Sequence, residues 1–348
     1  MWPMIIVTGA TGFIGSAMIW QLNNRGFRDI LAVDTVPPET RPGVLAKRQI
    51  SSFLGKNDLW AFLETNEAKK NIEGVIHMGA CSSTTEMDVE FLTENNFNYT
   101  RRLWNWCTQF EKPMIYASSG AVYGDGAHGF DDASPSKMFK PLNPYGDSKA
   151  QFDRFVEESI AAREHHPPSW YGLRFFNVFG PNEYLKRDMA SVVFKAFNQI
   201  RDTGRLKLFK SHRPDFKDGQ QLRDFVYVKD IVRWMDELLI RAIEGRKTDT
   251  PGVAALNGIY NMGFGHARTW NDLASATFKA LDKPVTIDYI DIPEAMRPRY
   301  QYFTEAKMDR LMALGLSKPE WSLERGVTDY VVNHLGKFEN PSGETPWL

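Results

Sequence analysis

The chain is poor in cysteine: among 348 residues only Cys81 and Cys107 occur. Two thiols cannot build a disulfide framework, which excludes a disulfide-stapled fold and points to a reducing compartment. Long apolar runs are missing too. None approaches the ~20 residues needed to cross a bilayer. The chain enters an apolar strand pattern at Met4 with no basic leader or small-residue cleavage site, so a cytoplasmic location is expected, not secretion. The third absence is an excess of one charge sign. A formal net charge of −1 removes the electrostatic basis for general binding to nucleic acid or an anionic membrane. Internal repeats and low-complexity tracts are also absent. What remains is an ordinary globular composition, 43% hydrophobic and 24% charged, on a length suited to one large domain or two joined ones.

The first motif lies at the start. Met4 to Thr8 reads as a parallel strand buried on both faces. Gly9, Gly12 and Gly15 follow with G-x-x-G-x-x-G spacing, then a helical pattern ending near Gly26 and a second buried strand, "DILAVD", closing on Asp34. Strand, glycine turn, helix, strand and terminal acid in this order form a βαβ unit that binds a dinucleotide. Glycine lets the backbone approach a pyrophosphate, and the helix N-terminus offers unpaired N–H groups. Asp34 favours the free ribose hydroxyl of NAD, whereas Arg41 can pair with the 2′-phosphate of NADP. The expectation is NADP, with NAD as the alternative.

"EGVIHMGA" and "KPMIYASS" read as further buried strands, with one long helix from Val89 to Phe110 between them. This alternation predicts an α/β fold, a Rossmann-type doubly wound parallel sheet with a smaller mixed α/β substrate-binding lobe. The expected division gives 1–176 with 222–246 to the Rossmann domain and 177–221 with 247–335 to the lobe. Residues 336–348 form a C-terminal surface extension. "DFVYVKDIVRWMDELL" is expected to return a strand and a helix to the first domain, and the Trp104/Trp106 helix offers an interface. Ligands collect beyond the carboxyl ends of such strands, which puts the loops "GACSSTT" and "SSGAVYG" in the cleft.

Tyr145 and Lys149 stand four residues apart, one turn along one face of a helix. An unperturbed tyrosine is a weak acid–base group at neutral pH, and a nearby ammonium favours its phenolate. Ser119, ending the preceding strand, can hydrogen-bond the same substrate hydroxyl. On its own this spacing describes any stacked surface pair; the dinucleotide fold gives it chemistry. His77 reads as a packed core histidine and His128 as a solvent residue.

"TGATGFIG", "YASSGAVYG" and "YGDSK" resemble the extended short-chain dehydrogenase/reductase family, which includes nucleotide-sugar epimerases and dehydratases. "GACSSTTE", "KPLNPYGDSK", "RFFNVFGPNE", "KRDMASVVF", "LRDFVYVKD" and "RYQYFT" narrow the resemblance to its ADP-heptose 6-epimerases, over residues 4 to about 304. The resemblance implies an isomerase that inverts C6 of an ADP-heptose through a transient 6-keto sugar, in lipopolysaccharide precursor synthesis. It implies an ADP-sugar substrate, a homo-oligomer and no metal. Carried over position by position, the cofactor would be held by Gly9, Gly12, Phe13, Ile14, Gly15, Asp34, Thr35, Arg41, Met78, Gly79, Ala80, Cys81, Ser82, Asn95, Tyr145 and Lys149. The ADP-sugar would meet Ser119, Asn177, Val178, Lys186, Asp188, Lys195, Phe209, Lys210, Ser211, His212, Arg223 and Tyr300. Tyr145, Lys186, Lys149 and Ser119 would carry the chemistry, with Lys186 as the second acid–base group. The planar fork of Arg223 suits a diphosphate, though a salt bridge to Asp224 is its plainer use. Two other readings stay open: a 4-epimerase or 4,6-dehydratase acting on another nucleotide sugar, and a non-catalytic cofactor-binding scaffold. The insert between Lys210 and Gln221 departs from the compact pattern of the family.

Overall fold

In the computed structural model, which describes residues 4–41, 43–248, 256–339 and Leu348, the apolar runs between helical patterns become parallel strands. β1 (Met4–Thr8), β2 (Ile30–Asp34), β3 (Ser52–Gly55), β4 (Ile72–His77), β5 (Met114–Ser119), β6 (Trp170–Phe175) and β11 (Gly258–Met262) form one sheet in the order β11-β6-β5-β4-β1-β2-β3. Every neighbouring pair in it is parallel. The chain order reverses between β1 and β4, which opens a ligand crevice beyond the carboxyl ends of those strands. β11 comes from a segment given above to the lobe.

Both faces of the sheet are covered, which is why β1 reads as an unbroken apolar run: Ile5, Ile6 and Val7 are fully buried. The helices Phe13–Arg25 and Val228–Thr248 cover one face with Ile19, Leu22, Trp234 and Leu238. Arg25 donates to Asp236 across them at 2.7 Å. The helices Tyr99–Gln109 and Pro144–Ala161 cover the other with Leu103, Trp104 and Phe152. Full burial of one such side chain is worth about 1.5–3 kcal/mol. Trp104 and Trp106 are therefore core residues, and Trp106 also donates to the Leu63 carbonyl.

The lobe holds short strand pairs: β7 (Asn177–Phe179) with β10 (Phe225–Tyr227), β8 (Leu206–Phe209) with β13 (Ile287–Ile290), and β9 (Leu222–Arg223) with β12 (Arg268–Thr269). Its own core includes Phe179, Phe197, Tyr227, Leu273 and Tyr330. The expected return of "DFVYVKD" to the main sheet is thus half right. β10 pairs with β7 and not with the main sheet, while its Val226 and the following helix pack against the Rossmann core. The helix from Val89 contains a π turn, Thr93–Asn98, and ends at Gln109. Of the C-terminal extension, 340–347 lie outside the described residues. Leu348 is buried, not superficial, and its N–H donates to Asn182 Oδ1 at 3.0 Å.

Candidate active site

A cavity of about 870 Å³ opens at the crevice between the sheet and the lobe. Its floor is the glycine turn. Gly9 has φ +66°, and a Cβ there would sit 2.8 Å from the Gly79 nitrogen. A Cβ on Gly15 would sit 2.0 Å from the Gly9 carbonyl oxygen, so the helix can approach the turn only as glycine. Gly12 caps the following helix with no side-chain partner, leaving its first-turn N–H groups toward the cavity. Phe13 and Ile14 line the same floor.

The end of the cavity where the adenosine of a dinucleotide would lie follows β2. The Asp34 carboxylate accepts N–H bonds from Thr11 at 3.0 Å and Thr35 at 2.7 Å. Arg41 donates to the Thr11 carbonyl at 2.8 Å, so it stands beside Asp34. Met78, Gly79, Ala80, Cys81 and Ser82 continue β4 over the opening, and Asn95 closes it.

At the other end Tyr145, Lys149 and Ser119 come together. Asn143 caps the Pro144–Ala161 helix by accepting the Gly146 N–H at 2.8 Å, which fixes Tyr145 in the first turn below the end of β5. Tyr145 is buried and shares a side-chain hydrogen bond with Ser119. Burial raises its pKa, and that hydrogen bond pulls the other way. The expected coupling of the Lys149 ammonium to the phenol differs here: Lys149 donates to the Ala117 carbonyl at 2.9 Å. Burial pushes Lys149 down to about 8 against the opposing pull of Asp153.

Asn177, Val178 and Lys186 line the lobe side of the same cavity. The Lys186 Nζ stands 5.4 Å from the centre of the Phe13 ring, facing the glycine turn from the opposite wall. Burial lowers its pKa, opposed by Glu183. Asp188, Lys195, Phe209, Lys210, Ser211, His212, Arg223 and Tyr300 are not among the lining residues. Lys195 donates to the Asp188 carbonyl, and the exposed His212 ring accepts the Ile292 N–H. Arg223 is buried between the rings of Trp270 and Tyr300, at 5.6 and 5.3 Å, and Trp270 itself lines the cavity. The Arg223–Asp224 salt bridge does not form. Arg223 donates to the Leu222 carbonyl, and the Asp224 carboxylate takes the N–H groups of Phe264, Gly265 and Ala306.

The model of the NAD dependent epimerase/dehydratase family matches residues 5–263. An ADP-L-glycero-D-manno-heptose-6-epimerase of Fusobacterium nucleatum subsp. nucleatum is 47% identical over 346 residues, 97% of this chain and 99% of that protein. The chain belongs to the NAD dependent epimerase/dehydratase family. Among solved structures it is similar to the ADP-L-glycero-D-manno-heptose-6-epimerase of Helicobacter pylori, at 25% identity and a TM-score of 0.73 over 95% of this chain and 96% of that one. It is also similar to MoeE5 in complex with UDP-glucuronic acid and NAD, at 26% identity and a TM-score of 0.70 over 94% and 97%.

The cavity fits the dinucleotide that this epimerase/dehydratase family depends on: a turn closed to any Cβ, free helix N–H groups, and a carboxylate with cations at the adenosine end. In and beside it lie residues the sequence did not single out. Lys56 follows β3, gives its N–H to the Asp34 carbonyl and its ammonium to Asn95. Asn96, in the π turn, accepts the Cys81 N–H and donates to the Cys81 carbonyl and the Ser148 hydroxyl. It ties the "GACSSTT" loop to the helix of Tyr145, a placement consistent with π turns at functional sites. His77 is a satisfied core residue between Thr8 at 2.6 Å and Thr100 at 2.9 Å. Among the described residues no cluster of His, Cys, Asp or Glu could hold a metal ion, and no helix is long and apolar enough to cross a membrane.

Proposed function

We propose that the chain converts ADP-D-glycero-D-manno-heptose to its L-glycero epimer at C6, using NADP, with Tyr145 and Lys186 as the acid–base pair. The observation that carries this reading is a single cavity lined by two proton-handling side chains from different walls: Tyr145 with Ser119 beneath the sheet, and Lys186 in the loop after β7. The names of the relatives support the substrate class.

The cofactor would lie along Gly9, Gly12 and Gly15, with its adenosine ribose near Asp34. Arg41 stands beside Asp34 and supplies positive charge for a 2′-phosphate, which favours NADP. When bound, the nicotinamide supplies reversible two-electron oxidation of the C6 alcohol. Epimerisation changes where the C6 oxygen points. One tyrosine serves both epimers only if the sugar returns that oxygen to the same place, and a second group on the facing wall removes the requirement. The side chain on the wall facing the C6 hydroxyl takes its proton as the ketone forms, the side chain on the other wall gives a proton to the oxygen as the other epimer is made, and a proton then returns between Tyr145 and Lys186 before the next turnover. In the reverse direction the roles exchange. Lys186 suits this exchange because burial has brought its pKa down toward the working range. A 4,6-dehydratase would want a carboxylic acid near Ser119. The one carboxylate among the described lining residues is Asp34, at the adenosine end.

The test is Lys186→Met beside Tyr145→Phe, each assayed for NADP retention and for interconversion of the two ADP-heptose epimers. Both variants are expected to keep the cofactor, and Lys186→Met to lose net epimerisation. Full activity in Lys186→Met would remove Lys186 from the mechanism.

A further inference from the structure

Glu183 lies three residues before Lys186 and is fully buried. Its Oε1 accepts the Gly180 N–H at 3.2 Å and the Ser191 hydroxyl at 2.7 Å, while Oε2 accepts the Ser191 N–H at 2.5 Å. The Ser191 oxygen is itself occupied by the Phe194 N–H, where it caps the helix Val192–Thr203, so its own hydrogen goes to Glu183. These partners all present hydrogens, which favours the ionised carboxylate, while full burial pushes the Glu183 pKa up against them. Gly180 and Ser191 are the two ends of the loop that carries Lys186, and the Lys186 N–H also donates to the Glu183 carbonyl at 2.9 Å.

We infer that Glu183 is the positioning residue for Lys186: its carboxylate clasps both ends of the 180–191 loop, fixes it to the start of a lobe helix, and sets the place and charge of the Lys186 ammonium. The inference rests on the acid–base reading of Lys186. The titratable groups facing Glu183 are Lys186, Tyr184, Tyr227 and Tyr330. The three tyrosines have raised pKa values and stay neutral, leaving Lys186 as the cation of the group. Burial lowers the Lys186 pKa, and the Glu183 carboxylate opposes that shift. A purely structural clasp would hold the loop without moving the titration of Lys186.

The experiment compares wild type with Glu183→Gln, an isosteric change that removes the charge. The pH dependence of Lys186 acetylation by acetic anhydride is read by mass spectrometry of its peptide. In parallel, the pH profiles of kcat and KM are measured on the ADP-heptose epimers with the holoenzyme. Loss of the anion is expected to lower the Lys186 midpoint, to move the matching limb of kcat the same way, and to reduce kcat with KM little changed. An unchanged midpoint in folded Glu183→Gln overturns the inference. A shifted midpoint with an unchanged kcat profile overturns the acid–base reading of Lys186 instead, and with it the catalytic part of this proposal. Ser191→Ala removes one donor that keeps the carboxylate ionised and should shift the midpoint in the same direction by less. It decides the question alone if Glu183→Gln does not fold.

Discussion

Replacing Asp153 by asparagine removes one charge from an ion pair whose two side chains are both 0% exposed. Asp153 lies one turn beyond Lys149 and accepts the Arg174 Nε–H and the Ser118 hydroxyl, each at 2.9 Å. The asparagine oxygen can still take those two donors, but the guanidinium loses its counter-charge. Arg174 keeps the Tyr123 hydroxyl at 3.0 Å and the Ser136 hydroxyl at 2.6 Å. Breaking one side of a buried pair costs about 3–5 kcal/mol, and the two retained hydroxyls set the expectation near the lower end, about 3 kcal/mol. Against a total stability of about 5–15 kcal/mol that is a large loss. Equilibrium urea unfolding followed by tryptophan fluorescence measures it. Adding Arg174→Met to the variant removes the stranded charge and should recover part of the stability. A loss below about 1 kcal/mol, the range of an exposed pair, would refute the buried-charge argument. The same substitution should drive Lys149 further below its value of about 8, since Asp153 is what holds it up.

Gly15→Ala should lose cofactor through purification, because its Cβ would meet the Gly9 carbonyl oxygen at 2.0 Å and force the turn open; wild-type retention would contradict this. Lys149 titrates near 8 in the fold against an ordinary 10.5, so its burial penalty is full below pH 8, falls as pH rises, and is gone above 10.5. The gap is worth about 3 kcal/mol. The stability of wild type relative to Lys149→Met should therefore rise by up to that amount between pH 8 and 10.5, and a constant difference would count against it. Arg41→Ala should weaken NADP more than NAD in calorimetric titration, whereas equal losses would take Arg41 away from the 2′-phosphate.

What could be read from the chain was what is local in it. The glycine turn, its helix and Asp34 lie within one βαβ unit, and Tyr145 and Lys149 within one turn of helix, so the dinucleotide unit together with that spacing pointed to a common cleft. The lobe was harder because its strands are two to four residues long and pair across distant stretches. β10 has the same apolar look as a sheet strand, yet its partner is β7. Lys56 and Trp270 reach the cavity only through the ends of β3 and β12, and neither carries a motif. Asn96 acts through both backbone groups of Cys81, fifteen residues away, which only the folded π turn reveals. Glu183 carries no motif, and only the folded loop encloses its carboxylate.

The central claim is that one cavity inverts C6 by two proton-handling walls around a retained nicotinamide. It is tested most directly by incubating the purified protein separately with each ADP-heptose epimer and following the C6 signals by NMR, with NADP retention measured on the same sample. The account predicts that both incubations reach the same mixture of the two epimers with no net consumption of cofactor. If each epimer persists unchanged while the cofactor stays bound, the account is contradicted.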